Sequence, residues 1–286
     1  MPPFGMVLAR DNGQLPGVFP PAARVYEMIP KRSSRPICTS LSLGRGPCAA
    51  GILVLAMLAA LPSGGMAIAA SQCAVPQDLR PAPPRPPRAD EVHPDIPVTH
   101  YILALSWAPA WCRTGAGRRA GERGDAECSD PSRGFVLHGF WPNGDDRQHP
   151  QYCAPAGPID IATLRMAWCM TPSASLLQHE WAAHGTCGWQ RPADYFAREA
   201  SIWNRLSLPP AGSLAGRVLT AGQLRASLAA ANPGLPADAV AVRLDHRQRL
   251  REVDLCYGRS FAPVPCARGE RGTPDPVMLR VSAMLQ

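Results

Sequence analysis

The stretches Val98–Trp107 (VTHYILALSW) and Gly134–Trp141 (GFVLHGFW) decide the fold class. Both are short, rich in β-branched and aromatic residues, and bounded by turn residues, so each is expected to be a strand. Pro142-Asn143-Gly144 is expected to stop the second one. Further along, Val240–Leu244 and Leu250–Tyr257 also predict strands; in the latter Leu250, Glu252 and Asp254 alternate with Val253 and Leu255, a period of two. Between them lie helical stretches: Ile159–Cys169, Ser173–His184 with Ser173 or Ser175 as cap, Ala193–Leu206, and Ala221–Ala231 behind Thr220. Residues 113–133 and 143–158 are polar and rich in Gly or Pro and predict loops. Helices and strands alternate without a βαβ rhythm. The expected class is therefore α+β, a central antiparallel sheet packed with helices.

The chain has 286 residues, 46% of them apolar, which is enough to bury a real core and argues against wholesale disorder. Its 33 Pro are unevenly placed: residues 76–97 hold eight of them with almost no large apolar side chain. Residues 70–97 thus predict an extended, polyproline-like linker. The formal net charge of +7 is misleading, because the stretch before Ala70 carries six basic and two acidic residues. The remaining 23 basic and 20 acidic residues make a mildly cationic protein, so bulk charge by itself does not point to nucleic acid.

The first 69 residues read as a leader. Ala49–Leu61 is an apolar run of 13 residues, preceded by Arg45 and followed by PSGGMAIAAS. That order is a secretory signal with cleavage after Ala69 or Ala70, and the run is short of the ~20 residues that span a bilayer. Met28 is an alternative start. A secreted or periplasmic protein, free of the membrane once the signal is removed, is expected. Beyond the leader, which holds Cys38 and Cys48, eight cysteines remain: Cys73, Cys112, Cys128, Cys153, Cys169, Cys187, Cys256 and Cys266. An even number behind a signal implies disulfides in an oxidising compartment, although eight cysteines allow 105 pairings. None of them forms a C-x-x-C pair, so zinc-ligand spacing is poor.

The useful histidines fall in two segments. His138 lies in the second strand; His179, Glu180 and His184 lie in the helix that follows. Imidazoles titrate near neutral pH, so this set suits proton transfer. His179 and His184 are five residues apart, about 140° around a helix, whereas a zincin helix needs its histidines four apart. Taken singly, a histidine such as His138 in an apolar strand is more often a buried, hydrogen-bonded residue than a catalyst, and His179-Glu180 also reads as a surface pair.

Together the two segments resemble the paired signatures of the ribonuclease T2 family. The family's His-Gly-Leu-Trp-Pro is similar to His138-Gly139-Phe140-Trp141-Pro142, and its His-Glu-Trp-x-Lys-His-Gly-Thr-Cys to His179–Cys187. Leu105–Pro109 with Trp111-Cys112, and Glu252–Cys256, resemble flanking family strands, so the resemblance covers about residues 98–268 within an expected catalytic domain 98–286. It implies an endoribonuclease that cleaves single-stranded RNA through a 2′,3′-cyclic phosphate to 3′-phosphate ends, as a monomer, with no cofactor and no metal. DNA lacks the attacking 2′-OH. By position, His184 is the expected base and His138 the acid, with the reverse order left open. His179 would hold the phosphate, and Glu180 would orient or stabilise an imidazolium. Trp141 would stack a base, and Asn143 stands where the family often has an Asp facing the base. The resemblance further implies Cys112–Cys128, Cys153–Cys187 and Cys256–Cys266, which leaves Cys73 for Cys169. One departure stands out: the family's Lys is Ala183 here. It implies a slower enzyme, or a relative that binds RNA without cleaving it. A zinc hydrolase built on His179, Glu180 and His184 is the third reading.

Overall fold

The computed structural model describes residues 73–285 apart from 123–124 and 146–148. The expected leader, with its signal and two cysteines, lies outside them. Strands β1 (His100–Trp107), β2 (Phe135–Asn143), β4 (Val240–Leu244) and β5 (Leu250–Gly258) form one antiparallel sheet in the order β2-β1-β5-β4. A small pair, β3 (Val218–Thr220) with β6 (Met278–Arg280), stands apart from it. The class is α+β, as the strand and helix patterns predict.

The sheet has two different faces. Leu103, Leu105 and Trp107 of β1 join Leu137, Phe140, Val253 and Leu255 in the main core. The alternate residues Ile102, Ala104 and Ser106 look the other way, opposite Cys256, Asp254 and Glu252. Burying the first face drives the sheet onto the helices. The second face carries the polar residues.

Strand β2 runs two residues past its expected stop, through Pro142. Because β2 is an edge strand, a residue without an N–H costs it little. Residues 113–133 are another correction. They hold α2 (Gly115–Glu122) and α3 (Ala126–Ser129), with α1 (Ala108–Trp111) just before. Their glycines read as loop signals, yet Gly117 is there because its backbone crowds Trp111 and Cys112, where no Cβ fits.

The remaining helices follow their local signals. Asp160 caps α4 (Ile161–Ala167), Ser173 caps α5 (Ala174–Ala183), and Thr220 with Gln223 closes a capping box on α8 (Ala221–Ala231). Between α5 and α8 lie α6 (Pro192–Trp203) and the single turn α7 (Ala211–Leu214). All four expected disulfides are formed: Cys73–Cys169, Cys112–Cys128, Cys153–Cys187 and Cys256–Cys266. The Pro-rich segment 73–97 has no regular element except a 3-10 turn at Ala89–Glu91. It is fastened to the domain by Cys73 and by a backbone bridge between His93 and Gln151.

Candidate active site

His138 occupies a β-bulge. Leu105 pairs with Leu137 and Ala104 with Gly139, so His138 has no partner on β1. The bulge turns both His138 and Gly139 away from the core that holds Leu137 and Phe140, as an extra residue does. The Leu137 backbone is satisfied elsewhere: its N–H donates to Met170 O at 2.9 Å, and Thr171 Oγ1 donates to its carbonyl at 2.6 Å. His138 Nδ1 meets Glu252 Oε2 at 2.7 Å, and Ser106 Oγ donates to the same oxygen at 3.1 Å. Glu252 thus orients the ring from β5, across the width of β1.

Helix α5 supplies the second half. It ends at His184, whose backbone N–H still donates to Glu180 O at 3.0 Å, but whose φ of −119° has left the helix. Glu180 is 2% exposed and lies between the two histidines: its Oε1 is 3.7 Å from His138 Nε2 and its Oε2 is 4.0 Å from His184 Nε2. Trp141 Nε1 donates to Glu180 Oε2 at 2.8 Å. The Trp141 ring stands 5.1 Å from that of His138 and 5.5 Å from that of His184. His179 is 6.4 Å from His184, ring to ring, and Tyr152 Oη lies 3.5 Å from its Nδ1. A Cβ on Gly139 would overlap Glu180 Oε2 and come within 2.6 Å of Trp141 Nε1, so glycine alone permits this close approach.

The surroundings push the two flanking imidazoles in opposite directions. At His138, burial opposes the charged ring, but the hydrogen bond to Glu252 and the charges of Glu180, Glu252 and Glu127 outweigh it and raise the pKa to about 9. At His184, burial and then the positive potential of His179, His138 and His149 hold the pKa well below the ordinary imidazole value. Burial and His138 also lower His179. Glu180 is raised to about 7 by burial, against the pull of His138 and the Trp141 hydrogen bond. Burial works to raise Glu252 too, but its bond to His138 reverses that and keeps it low. At neutral pH one ring is therefore held protonated and the other unprotonated.

Two clefts meet at His138. One, of about 500 Å³, is lined by His138, His179, Tyr152 and Gln178; the other, of about 680 Å³, by His138, His184, Trp141 and Asn143. The four expected acid–base residues thus converge. Trp141 is half-buried, with its indole N–H committed to Glu180. Asn143 is buried, its side-chain oxygen against His149 Nδ1. Glu252 and Tyr152 escaped the sequence reading. The acidic alternation of β5 was the available signal for Glu252. Tyr152 had none, since its φ of 51° is a tertiary feature. Among the described residues, no group of three or more His, Cys, Asp or Glu is arranged to hold a metal ion.

The described residues thus form a disulfide-stapled α+β domain in which three histidines and two glutamates converge. Residues 98–220 match the Ribonuclease T2 family model. A probable ribonuclease of Haemophilus influenzae is 29% identical over 181 residues, which covers 59% of this chain and 61% of that protein. Extracellular ribonuclease LE of Solanum lycopersicum is 31% identical over 128 residues, covering 38% of this chain and 51% of its own. The chain thus spans between half and two thirds of these relatives' length. In fold, it is similar to trichomaglin, an S-like ribonuclease, with a TM-score of 0.51 at 19% identity, over 66% of this chain and 100% of that one. Residues 98–220 are thus similar to the ribonuclease T2 family, and the resemblance read from the two histidine segments holds. Glu252 lies beyond the matched stretch.

Proposed function

We propose that the protein is an endoribonuclease that cleaves single-stranded RNA by transphosphorylation. The observation that carries this reading is the pair of opposed imidazoles, His138 charged and His184 neutral, on either side of one buried carboxyl. His184 takes the proton from the ribose 2′-OH as its oxygen bonds to phosphorus. The P–O5′ bond breaks, and His138 gives its proton to the departing O5′. Water later opens the 2′,3′-cyclic phosphate to a 3′-phosphate, with the two roles exchanged. Each imidazole contributes ~10²–10⁴-fold. Glu180, held near neutrality at about 7, can donate a proton to a non-bridging oxygen as well as balance an imidazolium. His179 would hold the phosphate. Trp141 would offer its ring face to a base, and Asn143 would act through His149.

No metal and no cofactor enters this scheme. The four disulfides support an oxidising location. In this proposal the leader 1–69 is removed on export and the protein acts as a monomer, secreted or periplasmic. No helix among the described residues is long and apolar enough to cross a membrane. The catalytic domain is 98–286, with 70–97 in front of it.

The test is to incubate the protein with single-stranded RNA in two arms, with and without EDTA, and analyse the ends. Cleavage in both arms, with cyclic phosphate termini, is the expected result. RNA retained but cut in neither arm would leave the binding relative as the answer, and cleavage abolished by EDTA would leave the zinc hydrolase.

A finer prediction concerns Glu252. Its carboxylate favours the protonated His138 ring, so removing it should lower that ring's pKa. Glu252→Gln is expected to move the alkaline limb of the rate profile down from about 9 by ~1–3 units. A limb that stays in place takes Glu252 out of this role.

A further inference from the structure

The segment 73–97 is held on both sides of its proline run. Before the run, Cys73 is bonded to Cys169, Leu79 packs on the core, and Arg165 Nη2 donates to Gln77 O at 3.3 Å. After it, the His93 N–H donates to Gln151 O at 2.9 Å, and the Gln151 N–H returns a bond to His93 O at 3.2 Å. In between, Pro83, Pro84, Pro86 and Pro87 surround Arg85. Proline fixes φ, so Arg85 is carried on a stiff support that loses little entropy when it engages a ligand.

The support delivers Arg85 to the catalytic cleft. Pro83 and Arg85 line the same cavity as His138, His179 and Tyr152, and among the described residues lining that cavity Arg85 is the one Lys or Arg. Its charge is felt by His179, Tyr152 and Glu91, and its side chain hydrogen-bonds Tyr152, which places the guanidinium beside the residue that faces His179. The neighbouring cleft does contain guanidiniums, but they are engaged otherwise. Arg113 donates to Pro109 O and Met284 O, Arg243 is paired with Asp254, and Arg249 with Asp245. Arg251 stands 3.8 Å from Glu252.

As the 2′-oxygen adds to phosphorus, a second negative charge builds on the non-bridging oxygens. That charge meets Glu180, Glu252 and Glu127 nearby, and Ala183 on α5 brings no cation. A guanidinium fork matches two phosphoryl oxygens. We propose that Arg85, presented by the disulfide-anchored proline segment, is the cation that grips the scissile phosphate and stabilises its transition state. This rests on the ribonuclease reading. It also makes the segment part of the active site, with a role that a linker would not have.

The experiment compares the disulfide-bonded protein with Arg85→Gln, Arg85→Lys and Arg80→Gln; both arginines are exposed on the same segment, but Arg80 does not line the His138–His179 cleft. Turnover of a dinucleoside monophosphate and binding of inorganic phosphate are both measured. Arg85→Gln is expected to lower kcat by ~10²–10³-fold, as loss of one preorganised donor does, with KM little changed. Arg85→Lys should recover part of the loss, and Arg80→Gln should match the unaltered protein. An Arg85→Gln enzyme with unaltered kcat overturns the proposal while the ribonuclease reading stands. If the unaltered protein makes no cyclic phosphate at all, that reading fails, and phosphate binding decides for Arg85: weaker binding in Arg85→Gln supports the grip, and equal binding removes it.

Discussion

His138→Ala and His184→Ala are each expected to lower turnover of RNA by ~10²–10⁴-fold, with melting temperatures close to that of the unaltered protein. The expectation follows from their settings. His138 projects from a bulge on an edge strand, its side chain 34% exposed, so truncation leaves no sealed cavity. His184 is more enclosed, with its side chain 10% exposed, and its Nδ1 has no hydrogen-bond partner among the described residues. Removing that ring frees no buried group of its own. The two losses should not add, because a base without its acid completes no turnover.

The pH profile assigns the roles. Rate requires His184 neutral and His138 charged. On the acid side, activity should fall only below the ordinary imidazole range, where His184 takes a proton. On the alkaline side, it should fall as His138 loses its proton at about 9. His138→Ala should erase the alkaline limb and His184→Ala the acid one. A His138→Ala enzyme that keeps its alkaline limb would mean that another group is the acid.

Breaking the clip between Cys153 and Cys187 has the next largest expected effect. The bridge closes a stretch with a sequence separation of 34, worth ~3–4 kcal/mol in the loop-entropy view. For a protein of this size, that corresponds to a melting temperature lower by roughly 10 °C. The clip also has a local task. Cys187 follows His184 by three residues, within the 3-10 turn Gly185–Cys187, and Cys153 follows Tyr152, whose N–H donates to Ala183 O at 2.9 Å. The bridge therefore ties the end of α5 to the loop that carries Tyr152 against His179. The double variant Cys153→Ser, Cys187→Ser is expected to lose stability and activity together, the latter even well below its melting point. A variant that is inactive but fully stable would contradict this.

Which elements were legible depended on how local their causes are. Helix α8 reads off Thr220 and Gln223, because a capping box is made within four residues. Strand β4 reads off its own β-branched run. By contrast, Gly115, Gly117 and Gly121 disguised helix α2, since what makes Gly117 fit is the backbone of Trp111 and Cys112. Pro142 failed to stop β2 because its place at the sheet edge is settled by strand order, which no local signal encodes.

The site divides in the same way. Residue type picks out His138, His179, Glu180 and His184 as a proton-transfer set, but what singles them out as a site, with Trp141 and Asn143, is the resemblance of their two segments to the family's paired signatures. Glu252, 114 residues from the histidine it holds, was not found in this way. Neither was the presence of Arg85 in the same cleft as His179.

The chain by itself determined the class of fold, the even set of cysteines behind the leader and the residue types available for proton transfer, because periodicity, capping and the chemical identity of a side chain are local properties. Only the tertiary structure decided which imidazole is held charged and which neutral, and that a proline segment reaches the cleft. Those outcomes depend on burial and on charges that folding brings together from opposite ends of the domain.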